Sequence, residues 1–271
     1  MAKKVALITG ASSGIGFDAA VELMKKGFTV YGAARRVDKL KELESKGIKT
    51  INLDVTNDKS MVECVDTIVK NEGRIDILVN NAGYGSYGAI EDVPMEEARR
   101  QIEVNVFGLA RMTQLVLPHM RKNHFGRIIN ISSMGGKIYT SFGGWYHATK
   151  FAVESFSDCL RLEVEEFGID VVVVEPGGIK TEWGIIASEN LKKVSAKGAY
   201  AKSASKSADS MKEMYSGNRL TEPKVIADTI VKAATAKKPK TRYLIGFAAK
   251  PVVFLRRILP DRMFDKIIRS M

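Results

Sequence analysis

Seven short runs rich in β-branched and other apolar residues recur along this chain, and each is followed by a longer stretch with helical spacing. The runs span residues 4–9, 28–34, 49–53, 75–80, 127–132, 169–175 and 241–245. Strands this apolar must be covered by helices on both faces, and strands separated by helices pair in parallel. The alternation predicts an α/β fold of three layers, a doubly wound parallel sheet of about seven strands. Ligands of such sheets bind beyond the carboxyl ends of the strands, near the point where strand order reverses.

Composition limits the classes of protein to which the chain can belong. Its 271 residues, 45% of them hydrophobic, suit one large core, so we expect a single domain over residues 1–271. No apolar run approaches the roughly 18 residues of a membrane-spanning helix, and no signal-peptide pattern precedes the first strand, so we expect a cytoplasmic protein. Cys64 and Cys159 are the only cysteines, and neither they nor the three histidines show ligand spacing, which predicts no metal site.

Most of the net charge of +11 lies in two segments, residues 192–212 and residues 250–271. Residues 194–210 are rich in Ala, Ser and Lys, and we predict that they form helix within a mobile insertion; the wider segment 181–220 suits either a substrate lid or a plain surface excursion. In segment 251–271, basic residues alternate with apolar ones around Pro260. Such an amphipathic segment either makes weak contact with a membrane surface or packs on its own domain or a second subunit. No nucleic-acid motif accompanies either segment, so we expect no nucleic-acid partner.

A glycine-rich turn follows the first strand and opens a predicted helix that runs to about residue 26. Glycines at positions 10, 14 and 16 let the backbone turn sharply and let a pyrophosphate approach amides at the positive end of the helix. The second strand ends in Ala34, Arg35 and Arg36. An acidic residue at this place holds the ribose 2′-hydroxyl of NAD, whereas arginine accommodates the 2′-phosphate of NADP. We therefore predict NADP(H) as the cofactor; the alternative is that both arginines only solvate a loop.

Tyr146 and Lys150 stand four residues apart, which places a phenol and an ammonium on one face of a helix. A tyrosine ordinarily loses its proton near pH ~10, and an adjacent cation lowers that pKa toward the range of acid–base catalysis. The pair is therefore a candidate proton donor. Ser133 ends an apolar stretch thirteen residues upstream of the tyrosine, at the edge where ligands of a parallel sheet bind.

These motifs and their order resemble those of the short-chain dehydrogenase/reductase family over nearly the whole chain. The matching residues are 9–16, Asp54 with Val55, 80–83, Asn105, Ser133, Tyr146 with Lys150, and 176–181. The resemblance implies a compact Rossmann fold that carries the cofactor site and the catalytic site in one unit. It also implies a homodimer or homotetramer, formed through the helices that bear Asn105 and Tyr146.

The resemblance further implies a role for each matching residue. Tyr146 would donate a proton to a carbonyl oxygen, Ser133 would hydrogen-bond that oxygen, and Lys150 would lower the tyrosine pKa and hold the nicotinamide ribose. Asn105, in a predicted helix over residues 96–112, would hold a water that links Lys150 to solvent. Asp54 would contact the adenine. The predicted cofactor-binding residues are Gly10, Ser12, Ser13, Gly14, Ile15, Gly16, Arg35, Arg36, Asp54, Val55, Asn81, Ala82, Gly83, Tyr146, Lys150, Pro176, Gly177, Ile179 and Thr181.

Aromatic and apolar side chains dominate the loops after the fourth, fifth and sixth predicted strands. They are Tyr84, Tyr87, Met134, Tyr139, Phe142, Trp145, Trp183, Ile185 and Ile186, and we take Tyr84, Tyr139 and Trp183 as substrate contacts. Such a lining favours a bulky hydrophobic carbonyl or alcohol of steroid, retinoid or long-chain type. The sequence thus predicts an NADP(H)-dependent oxidoreductase that runs as a reductase. A non-catalytic NADPH sensor, and an epimerase or dehydratase acting on a nucleotide sugar, remain as alternatives.

Overall fold

The computed structural model describes residues 3–270, so the outermost residues of the predicted ranges 1–271 and 251–271 lie outside it. The strands are Val5–Thr9 (β1), Thr29–Ala34 (β2), Lys49–Asn52 (β3), Ile77–Asn80 (β4), Gly126–Ile131 (β5), Ile169–Pro176 (β6) and Arg242–Ile245 (β7). Each begins and ends within two residues of its prediction, because buried apolar runs between polar helices leave little room for another assignment.

Eleven α-helices connect and follow the strands within the described residues. They are Gly14–Lys25 (α1), Val37–Ser45 (α2), Asp58–Glu72 (α3), Met95–Ile102 (α4), Leu109–Lys122 (α5), Gly144–Val164 (α6), Trp183–Ser195 (α7), Ala201–Ser216 (α8), Pro223–Thr235 (α9), Ala249–Ile258 (α10) and Asp261–Ser270 (α11). A π-helical turn, Glu103–Gly108, joins α4 to α5 without a break. In residues 3–270, no helix combines the length and the apolar character needed to cross a bilayer.

All strand pairs are parallel, in the order β3-β2-β1-β4-β5-β6-β7. The predicted doubly wound α/β fold is therefore confirmed, and it has the Rossmann arrangement. The chain leaves β1 toward β2 and β3 and then returns to place β4 on the other side of β1. This reversal opens a crevice above the carboxyl ends of β1 and β4, where the glycine turn and residues 81–83 meet.

Side chains of β1 alternate between the two apolar layers of the core. Ala6 and Ile8 face α1, α2 and α9, whereas Val5 and Leu7 face α3, α5 and α6. This period of two follows from the pleat of a strand, which sends successive side chains to opposite faces. Because both faces are covered, the central strands are rigid supports for the loops at their carboxyl ends.

A buried chain of polar side chains ties β4 and β5 to the helices behind them. Asn80 and Asn130 are partners in the sheet register, and Asn80 Nδ2 donates to Asn130 Oδ1 at 3.0 Å and to Thr113 Oγ1 at 3.1 Å. Asn130 Nδ2 in turn donates to Ser157 Oγ on α6 at 2.9 Å. Buried amides hold their geometry through such bonds, since an unpaired amide costs free energy. The ladder fixes α6 relative to the strand ends.

The structure adds detail to two helical predictions. Most of the stretch 194–210 is helical, as predicted, but it is divided between two helices: α7 ends at Ser195, α8 begins at Ala201, and Gly198 lies in the turn between them. The helix that carries Asn105 is longer than the predicted 96–112. It runs from the start of α4 to the end of α5 with Pro118 inside it, and the π-helical turn lies at Asn105.

Candidate active site

A cleft of about 1700 Å³ lies above the carboxyl ends of the central strands. All of the predicted cofactor-binding residues except Gly16 line it, as do the predicted catalytic residues Ser133, Tyr146 and Lys150. Of the predicted substrate contacts, Tyr84 and Trp183 line the cleft. Helices α7 and α8 form its outer wall. Motifs that are separated along the chain therefore line one continuous cleft.

The glycine turn is packed directly against the loop after β4. Gly10 has a left-handed φ of 68°, and a Cβ there would lie 2.9 Å from Ala82 Cα. A Cβ on Gly16 would lie 2.6 Å from the carbonyl oxygen of Gly10. Asn81 Nδ2 donates to the carbonyl oxygens of Thr9 and Gly10 at 3.0 and 3.2 Å. Only glycine, which has no Cβ, can occupy these two positions without a clash. Gly16 therefore contributes to the packing of the turn, although it does not line the cleft.

The start of α1 faces the cleft with its first amides free of a side-chain cap. Ser13 occupies the N-cap position, but its side chain makes no capping hydrogen bond. The leading N–H groups of a helix need an acceptor, and they carry its positive partial charge. The turn and helix therefore form a cradle that fits the pyrophosphate of a dinucleotide.

The arginines after β2 extend this positive region. The Arg36 guanidinium donates to Ser12 Oγ at 3.1 Å and to Ser13 Oγ at 2.8 Å, so it lies directly beside the glycine turn. Arg35 is exposed and lines the same end of the cleft, and Ala34 before it is buried. Asp54 lies at the far side of this end, with Oδ1 accepting from Thr56 N at 3.0 Å. The two arginines at this end of the cleft suit the adenosine end of a dinucleotide that carries negative charge.

Tyr146, Lys150 and Ser133 come together from α6 and the loop after β5. Tyr146 is 8% exposed and Lys150 is 9% exposed. Lys150 Nζ donates to the carbonyl oxygen of Ile131 at 2.8 Å and lies 5.9 Å from the centre of the tyrosine ring. Ser133 Oγ accepts from the backbone N–H of Gly135 at 3.0 Å. Lys150 and Ser133 are thus held in place by backbone groups at the end of β5 and in the loop that follows it.

Burial dominates the electrostatics of this group. It raises the pKa of Tyr146 to about 12, and a hydrogen bond with Ser133 only partly opposes the shift. Burial also lowers the pKa of Lys150 to about 8, against the attraction of Glu154. The lowered tyrosine pKa expected from the spacing is therefore not found, because desolvation of the phenol outweighs an ammonium that is itself desolvated and bonded to Ile131. The phenol carries its proton at neutral pH.

Aromatic rings surround the phenol on the open side of the cleft. Ring centres of Tyr87 and Trp183 lie 5.9 and 5.0 Å from that of Tyr146. Tyr215 on α8 packs against Trp183 at 6.1 Å. Tyr215 is not among the residues predicted from the sequence, although its spacing of four from Met211 indicates a shared helical face. The wall around the phenol is accordingly apolar and aromatic.

Asn105 does not line the cleft but fastens its edge. Its Nδ2 donates to the carbonyl oxygen of Tyr84 at 2.9 Å and to Thr149 Oγ1 at 3.0 Å, while Oδ1 accepts from Tyr84 N at 3.0 Å. The π-helical turn brings this amide between the loop after β4 and α6; such turns often mark functional positions. The water relay through Asn105 stays a prediction.

Three of the nine apolar loop residues do not line the cleft. Tyr139 is the one taken as a substrate contact, and that prediction is corrected. Its hydroxyl donates to Asp265 Oδ1 at 2.9 Å, and its ring packs on Phe264 at a centre distance of 5.5 Å. Trp145 and Ile185 are also absent from the lining. Tyr84 does line the cleft, with its hydroxyl donating to Glu97 Oε1 at 3.0 Å.

His147 has a structural function next to the tyrosine. It is buried, its Nε2 accepts from Thr140 N at 3.0 Å, and its Nδ1 lies 2.9 Å from the carbonyl oxygen of Gly135. These partners place the proton on Nδ1, and burial lowers the pKa of this imidazole. The neutral ring therefore pins the loop that carries Ser133. Among residues 3–270, no three His, Cys, Asp or Glu side chains are grouped to hold a metal ion.

The site combines a cradle for phosphates, where the strand order reverses, with a tyrosine–lysine pair at the same edge of the parallel sheet. This combination is typical of dinucleotide-dependent oxidoreductases. Sequence comparison gives the family. Residues 4–192 match the family model described as short chain dehydrogenase, and the chain belongs to this family of oxidoreductases. Members use NAD(P)(H) and act on alcohol or carbonyl groups.

Relatives and solved structures agree with this assignment over the whole chain. The chain is 38% identical over 274 residues to a 3-ketodihydrosphingosine reductase of Bacteroides thetaiotaomicron, covering 99% of this chain and 98% of that protein. It is 36% identical over 277 residues to an NADPH-dependent 3-dehydrocapnine reductase of Ornithobacterium rhinotracheale, covering 97% and 95%. The crystal structure of a short-chain dehydrogenase from Streptomyces avermitilis superposes with a TM-score of 0.82 at 32% identity, covering 100% of this chain and 99% of that one.

Proposed function

We propose that the protein is an NADP(H)-dependent reductase that converts a carbonyl group on a bulky hydrophobic substrate to an alcohol. The observation that carries this proposal is the buried phenol of Tyr146, which lines the cleft together with Ser133 and Lys150 and is flanked there by aromatic rings. A reductase needs a proton donor at this place when it meets its substrate. A phenol is protonated at neutral pH and can supply that proton.

The residues that would hold NADP(H) divide into an anion cradle and a nicotinamide end. The glycine turn, the start of α1, Arg35 and Arg36 would receive the phosphates, and residues 176–181 with Lys150 would hold the other end of the cofactor. The cofactor supplies the hydride. NADPH dependence in the name of one relative supports the choice of NADP(H) over NAD(H).

The side chains of this protein would supply the proton and the charge stabilisation. Tyr146 would donate its phenolic proton to the substrate oxygen, and Ser133, held by the backbone of Gly135, would donate a hydrogen bond to the same oxygen. Lys150 would supply positive charge beside the phenol as it loses its proton. Tyr87, Trp183 and Tyr215 would exclude water and contact the substrate, with α7 and α8 acting as the lid.

The hydrophobic character of the cleft supports the proposed substrate class. Tyr87, Trp183 and Tyr215 form an aromatic wall beside Tyr146, against which the polar groups of sugars or small phosphorylated metabolites would lack partners. Two relatives of similar length are named as reductases, which supports the reductive direction.

The proposal is tested by oxidation of NADPH and NADH against carbonyl compounds that range from small aldehydes to steroid-like and long-chain ketones. Tyr146→Phe should lower kcat/KM at least about 100-fold, since general acid catalysis contributes that much or more. Tyr243→Phe is the matched control, because this tyrosine lies on β7 outside the cleft lining. Turnover by Tyr146→Phe within a few-fold of the wild type would reject the proton-donor role. Tight NADPH binding without turnover of any carbonyl by the wild type would favour the sensor alternative.

A further inference from the structure

The C-terminal helices α10 and α11 form a hairpin that packs on the domain through one face. Val252 and Phe264 are buried in a small apolar cluster with Ile138. Tyr139 fixes the hairpin further through its hydrogen bond to Asp265. The sequence allowed this segment to contact a membrane, its own domain or a second subunit. The structure shows that its inner face packs on its own domain. None of these contacts involves the outer face of the hairpin.

Large apolar side chains are exposed on that outer face. Phe254 is 60% exposed, Ile258 is 55% exposed and Met263 is 53% exposed. Phe254 and Ile258 are four residues apart on α10, so they project from the same side of the helix. Met263 continues the exposed apolar residues onto α11. We call these three residues the apolar ridge of the hairpin.

Exposed cations share α10 and α11 with the apolar ridge. They are Lys250, Arg257, Arg262 and Lys266, and within residues 3–270 none of the four has a carboxylate side chain within 4 Å. The hairpin has two carboxylates of its own, and both are engaged. Asp261 pairs with Arg256 at 2.8 Å, and Asp265 accepts the hydrogen bond of Tyr139. Within the part of the chain that the structure describes, these cations therefore present positive charge without carboxylate partners.

The same hairpin forms part of the cleft wall. Val252 on α10 and Ile268 on α11 line the cleft, together with the neighbouring Arg269 and Ser270. The apolar ridge and the cleft are thus two sides of one pair of short helices. Whatever binds the ridge lies next to an entrance of the cleft.

We propose that the outer face of the α10–α11 hairpin docks on the surface of an anionic lipid bilayer. Exposed apolar side chains rimmed by lysine and arginine are the combination that binds in the headgroup region, where the apolar groups insert and the cations pair with anionic lipids. Charge complementarity selects this occupant over a second copy of the chain. A symmetric contact would press the same cations against each other, in a protein whose net charge is already +11. Docking would place the cleft mouth at the lipid surface, and this last consequence rests on the proposed hydrophobic substrate.

Co-sedimentation with vesicles tests docking without any need for turnover, so its outcome is independent of the proposed function. The intact protein is mixed with vesicles of phosphatidylcholine alone, or with about one third phosphatidylserine, at low and at high salt. We expect binding to the anionic vesicles at low salt, and at least about tenfold weaker binding to neutral vesicles or at high salt. Arg262→Glu with Lys266→Glu should weaken binding by a similar factor, as should Phe254→Ser with Ile258→Ser.

Lys237→Glu with Lys238→Glu is the matched control, because it makes the same change in net charge at exposed lysines in the loop before β7. This control should sediment like the wild type, and thermal unfolding should show that all variants are folded. The proposal is overturned if the wild type stays in the supernatant with anionic vesicles, or if the control loses as much binding as the hairpin variants. It is also overturned if the apolar pair changes only the oligomeric mass, which would assign the ridge to self-association.

Discussion

Two adjacent arginines and the start of one helix put positive charge around the same end of the cleft. Arg36 contacts both serines of the glycine turn, and the amides that open α1 lie beside them. A carboxylate at the end of β2 would change this balance, because it would accept a ribose hydroxyl and repel a phosphate. Ala34 occupies the last position of the strand, and the first acidic side chain after it is Asp38. The preference between NADP(H) and NAD(H) should therefore depend on one or two residues at the end of β2.

Arg35→Asp should move the preference from NADPH toward NADH. We expect kcat/KM for NADPH to fall at least about tenfold, because attraction between the guanidinium and the 2′-phosphate would be replaced by repulsion, and kcat/KM for NADH to change much less. Lys41→Asp on α2 is the control, since it makes the same charge change at an exposed side chain outside the cleft lining. Steady-state kinetics with both cofactors give the ratio. An unchanged ratio would contradict the assignment of the arginines to a 2′-phosphate.

At the residue scale, sequence predicted what depends on local spacing and missed what depends on distant contacts. Tyr146 and Lys150 are one helical turn apart on α6, so their spacing in the sequence is enough to predict that they pair. Tyr139 was assigned to the cleft because its loop follows β5, but its partner Asp265 lies 126 residues away. The raised pKa of Tyr146 has no local signal for the same reason, since the rings that bury the phenol come from other elements.

Three elements meet at a buried pair of carboxylates behind Lys150. Glu154 on α6 and Glu175 on β6 are 4% and 3% exposed. Lys137 Nζ lies 2.8 Å from Glu154, and Arg242 Nε on β7 lies 3.2 Å from Glu175. Burial, and then the neighbouring Glu154, raise the pKa of Glu175 to about 7. The cations do not fully compensate the two carboxylates, so one proton is retained in the pair near neutral pH.

Glu175→Gln should flatten the pH dependence of stability. The pKa of Glu175 rises from 4.5 to about 7 on folding, so its stabilising contribution is fully present below pH 4.5 and is lost as pH rises through about 7. The neutral amide keeps the shape of the side chain and removes this titration. We expect Tm of the variant to gain on that of the wild type between pH 5 and 8. Thermal unfolding measured across that range tests the sign, with the exposed Glu163→Gln on α6 as control. A constant difference in Tm would contradict the shift.

At the element scale, strand positions were predictable and helix interruptions were not. A strand of a parallel sheet is an apolar run whose two ends are marked by polar residues, which fixes its limits closely. The break between α7 and α8 was missed because the Ala-, Ser- and Lys-rich composition of residues 194–210 suits one helix as well as two. The π-helical turn at Asn105 has no local signal either, since it is held by contacts to Tyr84 and Thr149 in other elements.

On the scale of the whole molecule, an exposed apolar surface remains on the helices that carry Asn105 and Lys150. Phe107 in the π-helical turn is 57% exposed, and Phe151 and Leu162 on α6 are 45% and 72% exposed. Phe151 and Leu162 are eleven residues apart, or about three helical turns, so they share a face of α6. Exposed apolar side chains grouped in this way are typical of subunit interfaces. This surface lies on other helices than the apolar ridge, which belongs to α10 and α11.

The homo-oligomer implied by the family resemblance should therefore depend on α6. We expect the wild type to have the mass of a dimer or tetramer in size-exclusion chromatography with light scattering. Phe151→Ser with Leu162→Ser should raise the dissociation constant at least about tenfold, because each large side chain contributes roughly 1.5–3 kcal/mol when it is buried. Ile90→Ser is the control, since Ile90 is 68% exposed in the loop after β4. A monomeric wild type, or a control that dissociates as readily as the double variant, would exclude this face. Because Phe151 directly follows Lys150, dissociation should also lower turnover, and dilution of the wild type below its dissociation constant should reproduce that loss without any substitution.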